Sequence, residues 1–241
     1  MAANGEHARG LVAELLSPLR YDDERTLDPS EAAGIMSKMV PPGTRVLDVG
    51  CGSGSLSRLI MDARDCIVLG LEPNADRAAA AASKGLEVVE AEFAGELVDK
   101  LGIFDVVLFA DVLEHLAEPF EALRLTRRFL RVGGRVVASV PNVAHWTIRL
   151  NLLHGRFDYQ PVGIMDATHL RWFTVRSLHR LFTQAGYRIV ESKASAGLWM
   201  EGYRLAPWRW LPASVLTKLV HGAAQTWPAL FGCQHVIRAE L

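Results

Sequence analysis

The stretch Val46-Leu47-Asp48-Val49-Gly50-Cys51-Gly52-Ser53-Gly54 decides the fold. A short apolar run containing one acid leads into a turn with glycine at alternate positions, and a helical pattern opens at Ser53. Three missing side chains let the backbone approach a ligand closely. Outward from this turn the chain repeats one theme. Apolar runs at 45–49, 66–71, 86–89, 104–109 and 135–140 predict five buried strands. Helical stretches alternate with them: an alanine-rich one at 74–83, a short one at 94–100, and one at 119–130 closed by Gly133-Gly134. Repeated β-α units predict a right-handed, mostly parallel sheet, with ligands at the carboxyl ends of the strands.

The flanking regions complete one domain over residues 1–241. Residues 1–42 read as a helical cap, with helices at 11–19 and at 30–39, the second capped by Ser30 and stopped by Pro41-Pro42-Gly43. Residues 43–140 form the half that carries the turn. After Val140 the regularity lapses through residues 141–174, too long for an ordinary connection and rich in His, Arg, Asp and aromatics. This insertion is expected to shape acceptor specificity. Residues 175–241 begin with a helix at 175–185, followed by strands at 187–192 and 233–239 around a Trp-rich segment.

The turn alone leaves the ligand open; two acids narrow it. Glu72 closes the second apolar run eighteen positions after Gly54, the right reach to accept hydrogen bonds from both ribose hydroxyls of an adenosine. A dinucleotide fingerprint is G-x-G-x-x-G, whereas here the third glycine arrives one residue early. Asp48 would also repel a pyrophosphate. A phosphate-free adenosine bearing a sulfonium and an ammonium suits such an acidic neighbourhood.

These residues carry a resemblance. Val46 to Gly54 resembles motif I of class I S-adenosylmethionine-dependent methyltransferases, and Phe104-Asp105-Val106-Val107-Leu108-Phe109-Ala110-Asp111-Val112-Leu113-Glu114-His115 is similar to their fourth-strand motif. The likeness implies a three-layer α/β, Rossmann-like fold with a seven-stranded sheet, mostly parallel, one strand antiparallel. It implies S-adenosylmethionine as cofactor and S-adenosylhomocysteine as product. Asp48, Gly50, Cys51, Gly52 and Gly54 then line the methionine part, Glu72 and Pro73 the ribose, Glu92 and Phe93 the adenine edge, and Ala110 and Asp111 the amino group. The family more often has Asp at the position of Glu92. Residues 140–146 with Arg149, 155–157 and 168–174 resemble a subgroup met in glycan and secondary-metabolite pathways, which implies a sugar or other hydroxylated small acceptor.

A hydroxyl is a poor nucleophile until it loses its proton, so an oxygen acceptor benefits from a base near neutral pKa. His145, at the mouth of the fifth strand, is the first choice, with His115 and His169 behind it; His154 also lies in the insertion. Each competes with a plain reading as a packed or surface histidine. Asn142, Trp146, Arg149, Asp166 and Arg171 are candidate acceptor contacts, and an Asp166–His169 pair is either an oriented base or a loop staple. Trp199, Trp208, Trp210 and Trp227, with helically spaced Leu211, Val215, Leu216, Leu219 and Val220, read as a core or interface face, leaving a homodimer, an acceptor platform or a membrane-surface contact open.

Composition excludes other classes. The net charge of -1 gives no electrostatic footprint for nucleic acid or an anionic membrane. No stretch of about 18 apolar residues predicts a membrane span. Three cysteines, without C-x-x-C or zinc spacing, fit a cytoplasmic setting and no metal site, though Asp111, Asp158 and Asp166 are free to converge. Two rival readings stand beside methyl transfer: a nicotinamide-dependent oxidoreductase and a non-catalytic cofactor-binding scaffold.

Overall fold

The computed structural model describes residues 26–205 and 207–241; the expected helix at 11–19 lies outside them. Seven strands form one sheet: β1 (Arg45–Val49), β2 (Ile67–Leu71), β3 (Glu87–Val89), β4 (Phe104–Ala110), β5 (Leu130–Pro141), β6 (Arg188–Ala194) and β7 (Gln234–Glu240), in the order β3-β2-β1-β4-β5-β7-β6. Pairings from β3 across to β5 are parallel, while β7 runs antiparallel to both β5 and β6. Strand order reverses between β1 and β4, which opens a crevice at their carboxyl ends. β7 enters with Gln234 opposite Pro141, so a residue near the end of the chain reaches that crevice.

Alternation within the strands separates two cores. Leu47 and Val49 of β1, Val107 and Phe109 of β4, and Val136 and Ala138 of β5 face one layer, packed against Leu123, Leu178 and Phe182. Val46, Val106, Leu108 and Val137 face the other, with Met36, Leu56 and Ile60. The first layer comes from α5 (Pro119–Thr126) and α7 (Val175–Gln184), the second from α1 (Ala32–Met39) and α2 (Ser55–Arg64). Coverage on both faces is why these strands are continuous apolar runs. Between them lie α3 (Ala75–Ser83), capped by the Asn74 side chain on Arg77 N, and the short α4 (Val98–Leu101).

Several boundaries differ from the pattern-based reading. Glu31, not Ser30, stands at the N-cap of α1; the Ser30 hydroxyl instead donates to Asp28 at 2.7 Å. Gly133-Gly134 do not close a helix. α5 ends at Thr126, and the glycines sit inside β5, where two steps along β4 from Phe104 to Val106 face five from Leu130 to Arg135. Glycine at φ +75° lets the strand bulge there. The insertion is more regular than its composition suggests, with α6 (Trp146–Leu153), and the tail holds α8 (Ala213–Thr226) and α9 (Pro228–Phe231). Only part of the tail's apolar stripe is covered: Val220 is buried, while Val215 and Leu219 are exposed, as are Trp199, Trp210 and Trp227. All three cysteines are free, and among the described residues no helix is long and apolar enough to cross a membrane.

Candidate functional site

The glycine turn joins β1 to α2 and is tied to the neighbouring strand by two donors, Gly50 N and Cys51 N, on the Leu71 carbonyl (2.7 and 3.1 Å). Its three glycines serve different ends. All have positive φ, but a Cβ on Gly50 would meet Val112 at 2.9 Å and one on Gly54 would meet Ala81 at 2.9 Å, whereas one on Gly52 would meet nothing within 4 Å. Gly50 and Gly54 therefore permit packing, and Gly52 faces open space. That space is where a ligand could approach the backbone.

Acids stand at three neighbouring strand ends, Asp48 of β1, Glu72 after β2 and Asp111 after β4. Glu72 is buried; its Oε2 accepts from Gly52 N and its Oε1 from Asn74 N, each at 3.0 Å, and the Arg77 guanidinium stands 4.0 Å from Oε1, so the carboxylate fixes the turn and could still accept from a ligand hydroxyl. Asp48 is buried beneath the turn, where it accepts from the Ser57 hydroxyl and anchors the first turn of α2. Asp111 adopts φ +57°, a conformation non-glycine residues seldom take, at a cost of about 1–3 kcal/mol. It is over-determined: Ser139 Oγ (2.9 Å) and Gln234 Nε2 (2.7 Å) donate to its carboxylate, and its own N–H donates to Ser139. Burial pushes the Cys51 thiol well up, with Asp48 and Glu72 adding to the effect, so Cys51 is a neutral wall of the crevice. Pro73 and Glu92 are exposed beside it, Ala110 is half-buried, and Phe93 turns its ring into the core against Phe109 and Phe129.

The acceptor-side candidates divide. His115 ends a turn of 3-10 helix after β4 (Leu113–His115), and the insertion lays His169 over it, ring centroids 4.8 Å apart. Backbone bonds from Leu170 N (2.8 Å) and Arg171 N (3.0 Å) to the Glu114 carbonyl hold the two segments together. Potential ligand atoms of Glu114, His115 and His169 all lie within 4.8 Å of one another. Glu114 itself is 1% exposed, and among the described residues neither carboxylate oxygen has a hydrogen-bond partner. Burial, then the nearby Asp111, raises its pKa well above the ordinary carboxylate range.

His145 belongs elsewhere. It is fully buried at the N-cap of α6, its Nδ1 2.8 Å from the Thr147 hydroxyl and its ring against Trp146 and Tyr203. Burial depresses its pKa to about 4. Trp146 continues that aromatic group and donates to the Tyr203 hydroxyl. Asn142, also fully buried, donates to the Gly232 carbonyl at 2.8 Å and so ties the insertion to the tail. Arg149 donates to Ala144 O and Arg171 to Ala117 O, both at 2.6 Å, and Asp166 accepts from Thr168 N and Oγ1 at 2.7 Å. These four residues brace the insertion.

Pattern reading missed Glu114, Ser139 and Gln234 as site residues. Glu114 carried a signal, an acid directly before His115 and one step past an apolar residue; Gln234 carried none, because only the antiparallel entry of β7 brings it in.

Comparison with known proteins agrees with this architecture. A solved S-adenosylmethionine-dependent methyltransferase of Archaeoglobus fulgidus superposes with TM-score 0.58 at 20% identity, over 87% of this chain and 95% of that one. One from Geobacter sulfurreducens, solved with S-adenosyl-L-homocysteine, gives 0.52 at 18%, over 91% and 94%. These likenesses concern the fold. Among curated relatives, the ubiquinone biosynthesis O-methyltransferase of Ruegeria pomeroyi is 33% identical over 163 residues, 63% of this chain and 62% of the relative. The chain spans 42% to 65% of the length of such relatives. The family model described as methionine biosynthesis protein MetW matches residues 31–211, most of the chain and both halves of the site, and the chain belongs to that family.

Proposed function

We propose that this chain is an S-adenosylmethionine-dependent methyltransferase acting on a hydroxyl of a small acceptor, a phenol, sugar or secondary metabolite. One observation carries the reading: the open cradle above Gly52, bordered by the buried carboxylates Asp48 and Glu72 and by Asp111. Such a lining favours a cation-bearing adenosine over a pyrophosphate, and with it methyl transfer over hydride transfer. When bound, S-adenosylmethionine supplies an electrophilic methyl on its sulfonium. Glu72 would accept from the ribose hydroxyls, the backbone of Gly50 and Gly52 would border the methionine part, and Asp111 would attract the ammonium. The chain's own task is positioning, because methyl transfer demands in-line geometry in a dry crevice.

An oxygen acceptor is supported by the O-methyltransferases among the relatives and by the Glu114, His115 and His169 cluster, which stands at the end of β4 where an acceptor hydroxyl would lose its proton. Calorimetry should give a single S-adenosylmethionine site and no NAD site, and a panel of phenols and sugars should show a mass gain of one methyl group. NAD binding in place of S-adenosylmethionine would refute the assignment. A second reading, a cofactor-binding protein without turnover, is favoured by the family description, which names a biosynthesis and no reaction. Tight cofactor binding with no methylated product across the panel would select it.

A further inference from the structure

The carboxylate of Glu114 poses a physical problem. Its oxygens are removed from water and accept no hydrogen bond among the described residues, a state that costs several kcal/mol for an anion unless a cation or a proton compensates. Two imidazoles face the same spot. The Nδ1 of His115 lies 3.3 Å from the Thr168 carbonyl and that of His169 lies 3.1 Å from the Ile164 carbonyl. A carbonyl only accepts, so an Nδ1–H donated there leaves Nε2 as the ring atom able to ligate an ion; the Thr168 hydroxyl stands at the same 3.3 Å from the His115 Nδ1. Pinning one ring nitrogen to a backbone carbonyl is how metal-binding histidines are oriented.

We propose that Glu114, His115 and His169 form a binding site for one first-row divalent transition ion, with Zn2+ the preferred occupant. Two imidazoles and one carboxylate suit Zn2+ far better than Mg2+ or Ca2+, which take oxygen ligands. Potential donor atoms within 4.8 Å of one another need only small side-chain movements to share an ion. Three protein ligands leave a fourth position open, the pattern of catalytic rather than structural zinc. His115 is only half-buried and offers the entry path. This assignment deepens the methyl-transfer reading and its catalytic meaning rests on it, since an ion here would lower the pKa of an acceptor hydroxyl. The proposal departs from the expectation of no metal, which rested on local spacing; His169 lies 54 residues beyond His115, and no local spacing links them.

The test uses the full chain, stripped with a chelator and titrated without cofactor or acceptor. Zn2+ calorimetry should show one equivalent bound, Mg2+ none at the same concentration, and Co2+ should develop visible ligand-field bands. Glu114→Gln, which keeps the side-chain volume, and His115→Ala should each weaken Zn2+ binding by about tenfold or more. His179→Ala, on α7, should leave it unchanged. Wild-type protein that binds no stoichiometric Zn2+ and gives no Co2+ bands overturns the site, even if the variants fold poorly; equal affinity in Glu114→Gln overturns the ligand assignment. S-adenosylmethionine affinity, measured separately at the glycine turn, shows whether the methyl-transfer reading stands or falls on its own.

Discussion

The two sides of the crevice are built in opposite ways. The proposed cofactor side is local: the turn, its strand and Glu72 lie within 28 consecutive positions, and most of its contacts are backbone donors or open space made by glycine. The proposed acceptor side is long-range: the insertion brings His169 against His115, 54 positions away, and ties its own Leu170 and Arg171 to the Glu114 carbonyl. A ligand shared by many enzymes can be held by backbone and one carboxylate, whereas an acceptor calls for side chains gathered from distant segments.

Substitutions at two glycines of the same turn sharpen the comparison most. Gly52→Val should abolish measurable S-adenosylmethionine binding, because its side chain enters the empty cradle, while costing only about 1–2 kcal/mol of stability for the left-handed backbone. Gly54→Val should instead unfold the protein or lower its melting temperature sharply, since Ala81 Cα is already 3.1 Å from the added Cβ. Calorimetry beside thermal melts separates the two, and normal binding by Gly52→Val would break the cofactor assignment.

Acid should expose the other side. His145 and His235 are fully buried and their pKa values are depressed from 6.5 to about 4, in each case chiefly by burial. Below pH 6.5 the unfolded chain takes up protons that the folded chain refuses, so stability is complete above that pH and is lost as the pH falls toward 4. The loss is on the order of 3 kcal/mol per group at the acid end. His145→Asn keeps an N-cap side chain and removes the titration, so its melting temperature should vary less between pH 6.5 and 4 than that of the wild type. A kcat whose pH dependence moved in this variant would return His145 to the role of base.

Glu72→Ala should weaken cofactor binding by about 1–3 kcal/mol, roughly 5- to 150-fold. Glu72→Gln should lose less affinity, because its carbonyl still serves one backbone donor. The smallest effect belongs to the exit of the insertion, where Thr174 and Ser177 form a reciprocal cap on α7. Thr174→Ala should cost about 1 kcal/mol in a denaturant melt without changing cofactor affinity.

What could be read beforehand follows the same division. The strand at 45–49, the turn and the acid of Glu72 were legible because periodicity, glycine spacing and one carboxylate all act over a few residues. The bulge of β5 was misread because Gly133-Gly134 serve a strand irregularity as well as they would a helix end. The position of His145 after β5 was legible, but its burial against Trp146 and Tyr203 was not, because burial is not written in spacing.

Sequence by itself determined the alternation of strands and helices and the position of the glycine turn beside two acids, since these rest on local backbone preferences and on runs buried on both faces. Tertiary structure decided which histidines lie near a carboxylate, why Asp111 holds a strained backbone and which carbonyls Arg149 and Arg171 bind. Those outcomes depend on desolvation and on contacts between segments that only the folded sheet brings within a few ångströms.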